Sequence, residues 1–461
     1  MSNINDFVIK NGVLTKYIGT DEDVVIPNSI TSIGKYAFDG CESLMSITIP
    51  EGVINIGEYA FRSCESLKSV VVPEGVTHIG ESSFIYCKSL INITLPESIT
   101  HIGDAAFWGC NSLISMVIPN GVTHIGYGVF RYCWSLESVI IPEGVTSIGM
   151  DAFFFCKALT NVTIPKSVSF IDMGAFIGCE LLRSINIPNG VPKISNHTFE
   201  NCLSLTSVII PEGATHIGDS AFAQCWALEK IVIPEGVTHI GDNAFWGCKS
   251  LSNIVISSGV VSIGKKAFAD CCSLGNIVLP QSLTSMGEEI FSECASLVSA
   301  VIPEGVTTIR RDSFYRCTSL SSVIIPPSVT CIEASAFGGC HSLKKVDIPR
   351  GVTRIGSWAF SSCILLENID IPTKLERIGE GVFSGCNSVT SIIIPKSVLR
   401  IGDYAFSGCR ALESVVISNS VVKIRNSAFD ECKKIVVKGS AGSCVEKYAK
   451  ENGFPFEAIE E

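Results

Sequence analysis

The chain has 461 residues, 46% of them apolar and 17% charged, with a formal net charge of −11. The acidic balance disfavours nucleic acid, whose affinity rests on Lys and Arg neutralising phosphates. No apolar run reaches the roughly eighteen residues of a membrane-spanning helix, so no transmembrane segment is expected.

At the amino end, Met1 to Gly12 lacks a basic stretch followed by an apolar run and a small-residue cleavage site. Without a secretory signal the expected location is cytoplasmic, with the cell surface or secretion by a non-standard route as the alternative. Phe7 to Ile9 and Val13 to Tyr17 flank Asn11-Gly12, the strongest short hairpin signal, so residues 1–23 are expected to form an N-terminal β-hairpin cap.

From Phe38 to Phe429 a phenylalanine returns every 23 residues without insertion, and a cysteine follows each one three positions later, from Cys41 to Cys432. Such a clock means one short unit copied about eighteen times across residues 24–438, each burying its apolar face against its neighbours in a repeat solenoid. The unit Leu136 to Cys156, LESVIIPEGVTSIGMDAFFFC, is representative. Val139 and Ile141 alternate with Ser138 and Ile140, the period of two that marks a strand, and Pro142 ends it because proline cannot donate to a ladder. Pro142, Glu143 and Gly144 reverse the chain, with glycine permitting positive φ. Val145 and Ile148 are three apart, which predicts an irregular extended segment. Positive φ is not demanded of Gly149, since Asp172, Ser195, Arg310, Glu333 and Arg425 replace it elsewhere. Ala152, Phe153 and Cys156 have the spacing of one helical turn. Val191 to Phe199 breaks the pattern at several positions, Pro192 among them, and predicts a local bend or fraying. After the array, Ser443 to Glu446 forms a capping box before a helix that Gly453 ends, giving a C-terminal helix-plus-strand cap over residues 439–461.

Of the 21 cysteines only Cys272, Cys331 and Cys444 lie outside the column. Rungs of a parallel stack are about 4.8 Å apart, so distance alone permits bridges. Reduced buried thiols are favoured, because a free cysteine behaves as a small hydrophobe that suits an inward file. A single file offers no converging tetrahedral set, so no metal is assigned to it.

Period, isoleucine-proline step and A-F-x-x-C signature together resemble the leucine-rich repeats of the BspA-like family, in its Treponema-type form with 23-residue repeats. The resemblance implies a right-handed leucine-rich-repeat horseshoe or superhelix, with a parallel β-sheet on one face and short helical turns on the other. It also implies a non-enzymatic role in adhesion to host or neighbouring-cell proteins at a microbial surface.

Function on such a surface is sought where the repeat departs from its own template. Tyr86, Trp108, Arg131, Tyr132, Trp134, Phe154 and Phe155 follow the phenylalanine column in four successive units and have the composition of an interface hot spot; covering the turns is the alternative role. A histidine file, His78, His101 and His124, admits a metal, a pH response or a plain polar filler. Val232, Val255, Val278, Val301 and Ile324 form a β-branched file on the strand face, suited either to cross-strand pairing or to a partner. Arg354, Arg377, Arg400 and Lys423 form a basic file, either a solvated edge or a site for acidic polymers or anionic lipid heads. Phosphate loops, H-E-x-x-H, G-x-S-x-G and C-x-x-C are all missing, so neither an enzyme nor a cofactor is expected. The expectation is a non-catalytic scaffold that binds a protein partner, with a self-associating structural element as the alternative.

Overall fold

The computed structural model describes residues 3–460. It contains two compact units, Met1–Leu228 and Glu229–Glu461, both built from the same rung.

Most rungs contribute to three parallel ladders, although the first is reduced to a single bridge at Asn276 and forms no strand at 368–371. The first is the expected strand: Ser138–Ile140 pairs in register with Ser115–Val117 before it and Asn161–Val162 after it. Val139 and Ile141 point inward while Ile140 is 61% exposed, as the alternation requires. Pro142 O accepts from Val145 N at 3.1 Å and closes the turn. Gly144 is not left-handed there. A Cβ there would make a tight contact, 3.2 Å from the Asn120 carbonyl of the rung before, but Ser98, Ser167 and Ser282 take the equivalent position in other rungs, so glycine is favoured and not required.

The second ladder replaces the irregular segment that the spacing suggested. Ser147–Ile148 is a two-residue strand paired with His124–Ile125 and Phe170–Ile171. Gly149 then passes so close to the preceding rung that a Cβ would lie 2.8 Å from the Gly126 carbonyl carbon, which explains glycine without positive φ.

The third ladder corrects the expected helical turn. The phenylalanine segment is a run of tight turns in which Asp151 and Phe155, both at φ 55°, are left-handed. Alternate amides then face different ways. Ala152, Phe154 and Cys156 N–H donate three residues back within the rung, to Gly149, Asp151 and Phe153 at 3.3, 3.0 and 3.1 Å. Asp151, Phe153 and Phe155 N–H donate to Met173, Ala175 and Ile177 of the next rung at 3.1, 2.8 and 2.6 Å. A helix would keep every donor inside its own turn. Here half are spent on the neighbour, and among the described residues regular helix is confined to the 3₁₀ turns Ile4–Asp6 and Asn426–Phe429 and the α-helix Cys444–Glu451.

Inside, the phenylalanines stack face to offset face. In the first unit Phe38 to Phe222 stand 5.0–5.7 Å apart between centroids, and in the second Phe245 to Phe429 stand 5.1–5.7 Å apart. The rings are fully buried. Burying each contributes about 1.5–3 kcal/mol, and ring pairing adds about 0.5–1.5 kcal/mol. The cysteine column lies beside them with a defined task. The Cys156 thiol donates to the Phe130 carbonyl at 3.1 Å, and that oxygen also accepts from Cys133 N at 3.1 Å. Cys294 does the same toward Phe268 in the second unit.

Both ends continue the ring stack. The hairpin Phe7–Lys10 and Val13–Tyr17 turns at Asn11 and Gly12, both with positive φ, and places Tyr17 5.3 Å from Phe38. At the other end Tyr448 of the α-helix stands 6.2 Å from Phe429 and Phe454 follows at 6.1 Å. Ser443 Oγ accepts from Glu446 N at 3.4 Å, and Glu446 accepts from Gly442 N at 2.7 Å. The rung at Val191 to Phe199 interrupts the second ladder as the sequence predicts, because Pro192 has no N–H to donate and Lys193–Ile194 does not pair with Phe170–Ile171 of the rung before. Lys193–Ile194 keeps its pairing with His216–Ile217, and Ser195 and Thr198 satisfy their buried hydroxyls on Ile171 and Ser195 carbonyls at 2.6 and 2.7 Å.

Burial raises the pKa of the column thiols, to about 11 even at the less enclosed ends, Cys41 and Cys432. Because the folded values lie above the unfolded value of about 8.5, this contribution to stability is complete below that pH and is lost as pH climbs toward 11. The expected outcome is that iodoacetamide at pH 8 labels native protein at Cys41, Cys272 and Cys444 only, the three half-buried thiols, and all 21 cysteines in denaturant, counted by intact mass. Thermal midpoints are expected to fall steadily above pH 9.

Candidate functional site

On the first strand of each rung the third residue points outward. In the second unit this file is unbroken over five rungs: Val232, Val255, Val278, Val301 and Ile324 are 61, 53, 79, 47 and 62% exposed. Backbone pairing holds Val232 opposite Val255 and Val301 opposite Ile324. A polar border runs beside it through Lys230, Asn253, Asn276, Ser299 and Ser322. Exposed Asp347 and Asp370 then interrupt the file. In the first unit Val25, Val71, Val117, Ile140 and Ile209 are also exposed, but Thr48, Thr94, Thr163 and Asn186 separate them.

The aromatic residues singled out from the sequence do come together on the turn ladder of the first unit. Arg131 lies 4.8 Å from the Trp108 ring, 5.1 Å from Tyr132 and 3.8 Å from Phe154. Tyr132 meets Phe154 edge-on at 5.3 Å, and Phe154 lies 4.7 Å from Phe155. These five side chains are half-buried, whereas Tyr86 and Trp134 are 42 and 50% exposed. The left-handed positions explain where the rings lie. Tyr86 has φ 61°, and its ring covers Gly109 of the next rung, where a Cβ would stand 2.7 Å from Tyr86 Cδ1.

The partner that the sequence did not suggest is Asp151, which forms an ion pair with Arg131; their side chains are only 18 and 16% exposed. Burial pushes the Asp151 carboxyl above its ordinary value, and the Arg131 charge and hydrogen bond oppose that rise. Tyr127, 6.0 Å from Trp108, was also missed. Both residues lie in the rungs next to their partners, so only the 23-residue register brings them close.

His78, His101 and His124 line a groove of about 690 Å³ with Asn55, Glu81 and Asp104. The rings are 5.7 and 5.6 Å apart. Burial, and then the charges of His124 and His78, lower the pKa of His101. Each outer ring leans on its neighbouring threonine, Thr77 at 2.7 Å and Thr123 at 3.3 Å, as a polar filler does. Among the described residues no group of three His, Cys, Asp or Glu side chains is arranged to hold a metal. No helix among them is long and apolar enough to cross a membrane.

The repeat itself decides the family. A model described as the BspA type Leucine rich repeat region matches residues 16–137, 123–252, 238–365 and 307–436, in six copies. The chain belongs to the BspA type leucine-rich repeat family. Among solved structures, a leucine-rich repeat protein from Bacteroides ovatus is 27% identical, with 98% of this chain and 97% of that one covered and a TM-score of 0.50. A leucine rich cell surface protein from Faecalibacterium prausnitzii is also 27% identical, with 96% and 94% covered and a TM-score of 0.35. No curated protein matches the chain.

As a BspA type repeat protein the chain is a scaffold for protein binding, and its rings divide between the scaffold and its surface. Arg131 and Asp151 belong to the scaffold, because removing the arginine would strand a largely buried carboxylate. Arg131→Ala is expected to lower stability by about 2–3 kcal/mol at pH 7, below the cost of breaking a fully buried pair. The loss should shrink at pH 4, where Asp151, its folded pKa raised further, takes up a proton. Denaturant melts at the two pH values check this; equal losses would show that the ion pair is not the cause.

Proposed function

We propose that the chain is a non-catalytic adhesion scaffold that works at the cell surface and holds its protein partner on the strand face of the second unit. The observation that carries this reading is the five-rung file Val232, Val255, Val278, Val301 and Ile324, each side chain about half-exposed or more. Structural economy does not account for it. The inward residues of the same strands already supply the core, and outward positions elsewhere mix apolar residues with Thr, Asn or Asp, so no other stretch runs apolar over five rungs. A contiguous apolar stripe with a polar border is the composition of a partner site. Paired strands on both sides of Val278 hold Val232, Val255, Val301 and Ile324 in register, which limits the ordering entropy lost on binding. The surface location follows from the adhesive role that the family resemblance implies.

Tyr86 and Trp134 are proposed as a second, smaller contact, since they remain exposed while Trp108, Arg131, Tyr132, Phe154 and Phe155 pack on one another. A structural element that only self-associates is the competing class.

The test is a panel of immobilised extracellular-matrix proteins probed with the full chain, alongside sedimentation across concentration. At least one panel member is expected to bind, and Val255→Lys with Val278→Lys is expected to weaken it at least tenfold, about 1.4 kcal/mol. Trp134→Ala with Tyr86→Ala should weaken it less. Unchanged binding in the valine variant would remove the strand face. Reversible self-association without affinity for any panel member would favour the competing class.

A further inference from the structure

The groove that carries histidines in the first unit is lined, at the same position of the repeat in the second unit, by fixed cations. Arg377–Ile378, Arg400–Ile401 and Lys423–Ile424 are successive short strands in exact pairing, Arg377 opposite Arg400 and Arg400 opposite Lys423. All three charged side chains are exposed. With Gly402 and Arg425 they line one depression of about 120 Å³.

Their charge is not neutralised. Arg425 is held 3.4 Å from Asp403, and Arg354, one rung earlier, is tied to Glu333 at 3.8 Å and to Cys331 Sγ at 3.1 Å. Among the described residues no carboxylate pairs with Arg377, Arg400 or Lys423, including Glu376 and Glu380 of the same rung as Arg377. Three like charges are thus fixed one rung apart in a chain whose net charge is −11. Each repels the next, and a bound anion would relieve that repulsion.

We propose that Arg377, Arg400 and Lys423 form a binding site for a sulfated sugar chain, distinct from the apolar file and independent of it. Guanidinium groups fork onto oxyanions through two parallel hydrogen bonds, and lysine adds a point charge. The three cations repeat at one rung, about 4.8 Å, so the ligand must offer oxyanions at a comparable step along a line. An extended acidic peptide presents same-face side chains only every second residue, about 6.6 Å apart, and falls out of step. Single-stranded nucleic acid is held by aromatic platforms under its bases, and no aromatic side chain lines this groove. A sugar chain carrying more than one sulfate per ring offers oxyanions at closer spacing than the alternate carboxylates of a peptide, and it has no bases that need a stacking platform.

Fluorescence anisotropy of the full chain with a labelled heparin octasaccharide tests the site, with the desulfated octasaccharide and phosphatidylserine vesicles as separate arms. The octasaccharide is expected to bind, to weaken as salt rises from about 50 to 200 mM through screening, and to lose at least tenfold in affinity in the Arg377→Gln, Arg400→Gln, Lys423→Gln variant. Arg400→Glu alone should act in the same direction, which separates loss of the site from loss of fold in the triple variant. Arg410→Gln, which removes an exposed cation paired with Glu431 elsewhere in the unit, should leave binding unchanged. Equal binding by the triple variant, equal weakening by Arg410→Gln, equal binding of the desulfated chain, or binding to vesicles but not to the octasaccharide would overturn the proposal.

Discussion

Every level of this structure depends on how the turn segment divides its amide groups. With left-handed residues at two positions per rung, alternate N–H groups point forward to the next rung while those between them close turns within their own. That division makes a third ladder out of backbone that belongs to no strand. It also fixes the rise per rung at a distance where phenyl rings stack at 5.0–5.7 Å. The column thiols complete it, because from Cys64 onward thiols such as Cys156 and Cys294 supply a second donor to a phenylalanine carbonyl that the turn leaves aimed into the core. Phenylalanine, cysteine and the small residues near them are therefore one device. The ring fills the space, the thiol satisfies the carbonyl, and glycine at the close approaches lets the backbones meet.

Much of this was legible in the sequence. The 23-residue clock identified the repeat, the I-x-I-P alternation identified the first strand, and Asn11-Gly12 and the Ser443-to-Glu446 box located structured ends. What escaped was local geometry without a side-chain signature. Ala152, Phe153 and Cys156 have helical spacing, but the residues that decide against a helix are Asp151 and Phe155, and neither residue type announces a positive φ. Likewise Ser147–Ile148 is too short to show an alternation, and only pairing with its neighbours makes it a strand. Asp151 could not be assigned to Arg131 by inspection, since their closeness depends on the left-handed turn that the pattern conceals.

The same regularity shapes what the surface can do. Because the backbone places one residue of each rung at a fixed height, any outward position becomes a straight file, and its chemistry is set by what repeats there. Five successive β-branched residues make an apolar stripe, three histidines a polar groove, and Arg377, Arg400 and Lys423 a row of charge. The aromatic cluster differs in kind. It draws on several files at once and satisfies itself, with Arg131 between two rings and against Asp151, leaving only Tyr86 and Trp134 well exposed. The files are linear surfaces, while the cluster packs chiefly on itself.

Amide hydrogen exchange resolved to single residues tests the turn ladder directly. The account predicts that the N–H groups of Phe130, Phe153 and Phe268, which donate to the rung ahead, exchange as slowly as those of the strand residues Val139 and Ile254. Exchange of those phenylalanine amides at the rate of the exposed hairpin turn at Asn11 and Gly12 would contradict it, and would leave the stacked rings without the backbone ladder that sets their spacing.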